Sequence, residues 1–571
     1  MWLLRLVVLA AALACASGAA GGTELVGNSS EGLLEFSLGK FTYFKLSRPF
    51  PEEAILRHIS INATFLIFQI HSQYQNTTVS FSKTLLPSTS GTGTDVGLVF
   101  ILRPEQSMCI WYLESADAEP VQNIAVPLSY SERDPIPGGC NLEFDLDIDP
   151  NIYLEYNFFE TIIKFAPANL GYARGADPPP CDLETGQDSR WRLRYDVYQY
   201  FLPENDLSEQ VLLTHLQRMA EVSQVKANAI KVATLTANEK TSVYFSSLWV
   251  QGVIYNVIVR DPLLNTSAAY VPAHTYACSF KTTQDSCSSF GSISTKVFFT
   301  LFALLGLFIC FFGHRFWKTE LFFIGFIFMG FFFYILITRL TPIKYDVRLI
   351  LTAVTGSVGG IFLVATWWRF GTLMFCMICV GLVLGFLVSS VTFFTPLGNV
   401  KIFRDDVVFW VTFSCIAVVI PIVFVGCLRI LNILTCGIIG SYTVVLAINS
   451  YLYTSLSYIT LNVLKRALNV DFRSAFTNVP FQTTDFIILA VWGMLAVSGI
   501  TLQIRREKGQ PFFPPHPYKL WKTERARRVT NILDPSHHIP PLSERIYGRL
   551  AHIREFFQGG QSAGERTPLL L

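Results

Sequence analysis

Residues 371–394 read GTLMFCMICVGLVLGFLVSSVTFF, 24 positions without a charged side chain. As a helix rising about 1.5 Å per residue, such a run crosses a hydrocarbon core of about 30 Å. Six further apolar runs surround it, at 297–313, 321–337, 349–367, 407–427, 430–453 and 486–504. A backbone in lipid must satisfy its own hydrogen bonds, so the runs read as helices and residues 297–504 as an all-α seven-transmembrane-helix bundle. A chain that is 51% hydrophobic and only 15% charged fits a membrane protein.

The segment before the bundle carries the marks of secretion. Residues 1–20 read as a signal peptide, with Arg5, an apolar stretch Leu6–Ala14 and small residues Ala16–Ala20. Sequons stand at Asn28, Asn62, Asn76 and Asn265, and none follows the first apolar run. Four sequons confined behind a signal peptide predict an extracellular or lumenal, glycosylated N-terminal region. Seven crossings then put 505–571 in the cytosol, and Arg505, Arg506 and Lys508 directly follow the last run. The loop charges point the other way: Arg339, Lys344, Arg348, Lys401 and Arg404 fall in outer loops. A long translocated domain follows its signal largely regardless of charge, so the signal and sequons decide.

Residues 21–290 read as mostly β, in alternating patches such as Leu34–Leu38, Thr64–Gln73, Val96–Leu102, Arg192–Tyr200 and Val253–Val259. Pro/Gly breaks at 135–139 and 178–180 suggest two β-sandwich-like modules, 21–135 and 136–290, the second with a helical insertion at Leu207–Val222. Five cysteines lie here, Cys109, Cys140, Cys181, Cys278 and Cys287. In an oxidising compartment most should pair, and Cys278 and Cys287 are near enough for a local bridge. The odd one is either a buried free thiol or a link to a second chain.

Glu143, Asp145, Asp147 and Asp149 alternate with apolar residues, which on a strand sets four carboxylates on one face. A solvated face is the expectation and a calcium site the alternative, although the EF-hand template started at Asp145 fails at Pro150 and Tyr156. No metal site, cofactor site or catalytic residue is expected. Of nine histidines only His314 lies beside a run, too few for a zinc hydrolase. The last run has no lysine for a retinal Schiff base, and the helix cores hold no carboxylate or base for ion coupling. The third run ends Trp367-Trp368-Arg369-Phe370, without the acidic-Arg-aromatic triplet of G-protein-coupled receptors. Glycines at 356, 359, 360, 381, 385, 437 and 440 favour close helix packing.

Between the last two runs, Leu461, Leu464, Leu468, Phe472 and Phe476 recur at helical spacing, with Lys465, Arg466 and Arg473 at other positions. This predicts an amphipathic helix on the outer surface, or capping the bundle beneath the N-terminal region. The tail 505–571 should be mostly disordered, with 12 Lys/Arg against 6 Asp/Glu and four prolines between 511 and 517. It ends Glu565-Arg-Thr-Pro-Leu569-Leu570, an acidic dileucine signal of the kind that clathrin adaptors bind through one carboxylate and two aliphatic side chains.

The runs Pro49–Leu56, Gly139–Pro150, Phe312–Leu321, Phe512–Tyr518 and Glu565–Leu571 carry a resemblance along the whole chain to the mammalian transmembrane 7 superfamily. The resemblance implies a non-enzymatic multi-pass glycoprotein that supports cell survival and attenuates endoplasmic-reticulum stress and the unfolded protein response, including in insulin-secreting cells. Its expected partners are membrane lipids, proteins bound by the ectodomain and clathrin adaptors at the tail, with no nucleic acid. The expected locations are the plasma, secretory and endolysosomal membranes. The competing readings are a receptor for an extracellular ligand and a channel or lipid transporter.

Overall fold

The computed structural model describes residues 33–530, apart from 47–50, 116–119, 183–188, 282–285, 288–292, 510–512 and 514–516. The expected signal peptide, Asn28 and the tail signal at Glu565, Leu569 and Leu570 lie outside the described residues.

The first module pairs two sheets. One runs Thr42–Leu46, Val121–Tyr130, Phe65–His71, Asp95–Ile101, and the other Leu33–Phe36, Glu52–Leu56, Cys109–Ser115, Thr77–Ser80, Ser90–Gly93. Phe68 stacks on Trp111 between them, at 4.6 Å between ring centroids. Strand Phe65–His71 is buried along its whole length. Leu66, Phe68 and Ile70 fill the first sandwich, while Phe65 and Ile67 enter a core shared with the second module. That explains its nearly continuous apolar run FLIFQI, since a strand covered on both faces has no polar side to show.

The second module has a three-stranded sheet, Ile152–Tyr156, Glu160–Phe165, Ser242–Ser246, and a larger one built on Arg194–Phe201 and Val253–Asp261. The insertion forms two short helices, Glu209–Ala220 and Val222–Asn228, the first burying Leu212, Leu213, Leu216 and Met219. Residues 142–149 do not form the expected acid-faced strand. The Asn141 side chain takes over the local backbone instead, accepting from the N–H groups of Glu143 and Phe144 and donating to the carbonyls of Phe144 and Leu146. Asp149 is fully buried and bonds Asn151 and Tyr153.

Six helical stretches are long and apolar enough to cross a membrane, and the first, Ile293–Leu340, is 48 residues long. It breaks at a 3₁₀ turn, Gly313–Phe316, into Ile293–Phe312 and Trp317–Leu340. The two halves fold back as a hairpin, with Phe302 stacked on Phe323 at 5.1 Å and Phe308 against Phe316 at 5.3 Å. The bundle therefore has seven spans, continuing as Tyr345–Phe370, Leu373–Phe394, Asp406–Val423, Leu428–Leu452 and Thr483–Glu507.

Two helix pairs approach so closely that a side chain has no room. A Cβ on Gly440 of the sixth span would sit 2.5 Å from the Gly306 carbonyl of the first, and one on Gly385 of the fourth 2.1 Å from the Ala417 carbonyl of the fifth. Lipid supplies no hydrophobic drive between helices, so this backbone proximity is what their dispersion contact depends on. Gly385→Ala should lower the unfolding midpoint of the purified full-length protein, at a cost of about 1–3 kcal/mol. Gly493, with nothing within 4 Å of its Cβ position, is the control: Gly493→Ala should be neutral or stabilising by up to about 1 kcal/mol. Equal midpoints for the two variants would refute close packing at Gly385.

Candidate functional site

The β modules are joined to one end of the bundle by the loop between the last two spans. That loop holds a helix, Tyr458–Leu468, and a 3₁₀ turn, Asp471–Ser474. The chain then runs along the edge of strand Ser242–Ser246. The Phe476 N–H donates to the Tyr244 carbonyl at 2.8 Å, and the Ser246 N–H donates to the Phe476 carbonyl at 2.8 Å. This is strand addition to an open sheet edge, the joint's main source of backbone hydrogen bonds. Two further contacts hold it. Trp249 N–H donates to the Tyr458 hydroxyl at 3.1 Å, and Gln482, at the N-cap of the last span, accepts from Glu204 N–H and donates to the Leu202 carbonyl, both at 2.9 Å.

Lys465 lies at the centre of this seam, 1% exposed. Its ammonium donates to the Ser247 carbonyl at 2.7 Å and to the Ser246 hydroxyl at 3.2 Å. The rings of Tyr458, Phe472 and Phe158 surround it, with centroids at 5.2, 5.9 and 6.0 Å. Burial pulls its pKa down to about 7. The amphipathic reading placed Lys465 on a polar face; here the helix is covered by the bundle on one side and by the second module on the other, and Ile459, Val463 and Lys465 are all buried. Ile459 and Val463 on one stripe, Leu461 and Leu464 on another, were the sequence signal that both faces are covered.

Nearby, the Glu204 carboxyl is buried and faces Asp485 in the first turn of the last span. Burial and the Asp485 carboxyl together raise it to about 8. A third buried ionic cluster joins the two β modules. Asp95 accepts from His71 Nδ1 at 2.7 Å and from His274 Nδ1 at 2.6 Å, while His274 Nε2 meets the Gln73 carbonyl at 2.9 Å. Both His274 nitrogens thus face acceptors. Burial alone would lower its pKa, but the Asp95 carboxylate and the Gln73 carbonyl outweigh burial and raise it. The Glu204–Asp485 and Asp95–His274 contacts did not stand out in the sequence, because each joins residues from different modules.

The sequence-predicted residues are placed as follows. Asn62, Asn76 and Asn265 are exposed. Cys140 pairs with Cys181 and Cys278 with Cys287. Cys109 is a buried free thiol whose pKa burial pushes up to about 12, and that keeps it unreactive. At the far end of the bundle, a helix start outside the apolar helix cores holds a buried carboxylate. The second span begins at Trp317, so Glu320 lies inside its first turn, fully buried. Glu320 accepts from Asn432 of the sixth span at 2.9 Å, and the Asn432 amide also meets His314 Nδ1 at 3.0 Å.

The two titratable groups at the seam act in opposite directions. Docking lowers the Lys465 pKa from 10.5 to about 7, so the docked state gains stability as pH rises through that window and carries the full penalty below it. Docking raises the Glu204 pKa from 4.5 to about 8, so the docked state loses stability as pH rises through that window. Hydrogen exchange of strand Ser242–Ser246 in the full-length protein should therefore be fastest near neutral pH, after correction for intrinsic rates. Lys465→Met should flatten the alkaline side of that profile and Glu204→Gln the acid side. A profile unchanged by either variant would show that the seam does not sense these protons.

Family models match almost all of the described chain. Residues 32–130 match the TM7SF3-like N-terminal immunoglobulin-like domain, 135–281 the TM7SF3-like second immunoglobulin-like domain, and 299–504 the TM7S3/TM198-like domain. The chain is 79% identical to transmembrane 7 superfamily member 3 of Homo sapiens, and 76% identical to that of Mus musculus and of Rattus norvegicus, over 571 residues and the full length of each. Among solved structures, a β-1,2-glucanase from Parabacteroides distasonis aligns at 9% identity over 55% of this chain and 43% of its own, with a TM-score of 0.13, too low to bear on the fold. An immunoglobulin-like pair ahead of a multi-pass bundle, matched from end to end by these relatives, means that the chain belongs to the transmembrane 7 superfamily member 3 family.

Proposed function

We propose that this chain is a non-enzymatic membrane glycoprotein that supports cell survival and protein homeostasis by attenuating endoplasmic-reticulum stress and the unfolded protein response, in insulin-secreting cells among others. In this reading a signal peptide delivers residues up to about 290 to the lumen or cell surface, glycans occupy Asn28, Asn62, Asn76 and Asn265, and the C-terminus is cytosolic. The immunoglobulin-like modules bind protein partners, and Glu565, Leu569 and Leu570 recruit clathrin adaptors that set the traffic between secretory, surface and endolysosomal membranes.

The observation that carries the binding role is the seam. The β modules are fixed to the bundle by strand addition at Phe476 and by Gln482, so a load on them reaches the spans directly. A second reading, a channel or lipid transporter, draws on Glu320, because a buried carboxyl in a membrane helix marks an ion or substrate path by default.

The test uses cells lacking the chain and challenged with a lumenal folding stressor. Wild type should restore low unfolded-protein signalling and survival. Leu569→Ala/Leu570→Ala should shift the protein's location and leave rescue intact in the compartment it still reaches, whereas deletion of 24–290 should abolish rescue. If loss of the whole chain leaves stress signalling and survival unchanged, the homeostasis reading fails. Flux in reconstituted vesicles, lost in Glu320→Gln, would favour the transporter.

A further inference from the structure

We propose that the recess between the fourth and fifth spans and the seam loop binds an anionic phospholipid by its phosphate, and that Arg404, Arg473 and Asn462 hold it. The recess has a volume of about 540 Å³, open space at its mouth included. Phe393 and Phe409 line it from the spans, and Ile459, Val463 and Phe472 from the loop. Arg404, Arg466, Arg473 and Asn462 line it as well. Asn399 and Thr477 also lie there but satisfy each other, since Asn399 Oδ1 accepts from the Thr477 N–H and hydroxyl, both at 3.0 Å.

Lys465 settles how the Asn462 amide is turned. Its ammonium donates to the Ser246 hydroxyl at 3.2 Å, so that hydroxyl donates in turn to Asn462 Oδ1, also at 3.2 Å. Nδ2 is then the other end of the amide, and it is enclosed with no partner among the described residues. An amide N–H can only donate, so what is missing is an acceptor.

The three guanidinium groups differ in what they have left to give. Arg466 is committed: it donates to Asp406 Oδ1 at 2.9 and 3.1 Å and to the Arg404 carbonyl at 3.2 Å, and lies 3.9 Å from the Phe409 ring centroid. Arg404 is half-buried, 4.5 Å from the Phe476 ring centroid, and Arg473 is exposed. Neither makes an ion pair among the described residues. The nearby carboxylates are engaged elsewhere. Asp405 caps the fifth span, accepting from the Val407 and Val408 N–H groups, and Asp471 is exposed, within electrostatic range of Glu160. Glu239 of the second module, within electrostatic range of Arg404, takes the Thr236 hydroxyl. Burial lowers the pKa of both Arg404 and Arg466, and at Arg466 the Arg473 charge adds to the effect against the pull of Asp406. The recess is thus short of negative charge.

Donors and cations without acceptors call for an oxyanion, and a guanidinium fork matches a phosphate in bidentate fashion. The setting makes that phosphate a lipid's. The fourth span ends at Phe394 and the fifth starts at Asp406, so the recess sits at the level where the spans leave the hydrocarbon. Leu397, Ile402 and Val407, next to it in sequence, are exposed, an apolar rim that acyl chains cover and a free anion does not. Arg404 is also one of the loop cations whose placement runs against the expected orientation, and a bound anionic lipid offsets its charge there.

Native mass spectrometry of the full-length protein in micelles counts bound lipids directly. With phosphatidate and phosphatidylcholine offered at equal concentration, wild type should retain one phosphatidate in several-fold excess over phosphatidylcholine. Arg404→Gln/Arg473→Gln should lose that preference, while Arg404→Lys/Arg473→Lys should keep most of it and guards against misfolding of the glutamine variant. Asn462→Asp keeps the acceptor that faces Ser246 and turns the lone donor into an anionic oxygen, so it should lose the preference as well. Arg339→Gln/Lys344→Gln removes two loop cations outside the recess and should behave as wild type. Equal retention of the two lipids by wild type, a preference that survives the glutamine or the Asn462→Asp change, or its loss in the Arg339/Lys344 control overturns the site. Displacement of phosphatidate by inorganic phosphate at the same concentration makes the occupant a free anion and overturns the lipid. The readout is binding alone, so it stands whether or not any vesicle flux is found.

Discussion

The pairing of Phe476 with the edge of strand Ser242–Ser246 is the contact on which the rest of the architecture turns. An exposed strand edge is an invitation to pair with something, and here the bundle's own loop takes the place. Once the loop lies on that edge, the helix Tyr458–Leu468 is trapped between module and bundle, and Lys465 has no route to water. Its stem packs among aromatic rings while its ammonium takes the Ser247 carbonyl and the Ser246 hydroxyl. The same loop sets the N-cap of the last span, where Gln482 ties the helix start to the end of strand Arg194–Phe201. A single segment of about thirty residues thus fixes the height and angle at which the β modules stand on the membrane domain.

At the opposite end the bundle solves a different problem with the same economy. The sixth span is the most buried of the seven, and it touches the first span at Gly440, the fourth at Leu431 and the last at Gly437. It also carries Asn432, whose one amide serves both Glu320 and His314. A polar side chain at the most crowded position of a membrane bundle can be kept only if its partners are specified, and that ties the first hairpin to the sixth span in one register.

How much of this could be read beforehand depends on whether the cause was local. The spans were legible because a 24-residue run without charge has no stable alternative to a membrane helix. The two β regions were legible from alternation and from Pro/Gly breaks. Cysteine number and spacing gave an odd thiol and the local Cys278–Cys287 bridge but not the other pair, which is set by how the fold brings Cys140 to Cys181 across 41 residues. Lys465 was misplaced and Glu320 passed over for one shared reason. A charged residue beside an apolar run is assigned to water by default, and that default fails where a second module or another helix occupies the water's place. The segment 142–149 failed locally instead: its alternation imitates a strand, but the Asn141 side chain competes successfully for the same backbone groups.

Several buried ionic groups lie at the joints of the β region, with Lys465 and Glu204 at the bundle and His71, Asp95 and His274 between the modules. Their signs decide what acid does to these joints. Below about pH 7 the Lys465 penalty is already complete and changes no further. Over the same range Glu204 takes up its proton in the docked state first, which favours docking. His274, raised by Asp95, contributes stability that is fully present in acid and is lost only as pH rises through its docked-state pKa. The acid-side changes at Glu204 and His274 therefore run toward tighter joints, while Asp95, held low by its two histidines, gives up stability only in stronger acid. Mild acidification therefore holds the β modules on the bundle, and opening of the seam is a neutral-pH event, where the Lys465 penalty is complete and Glu204 has begun to lose its proton.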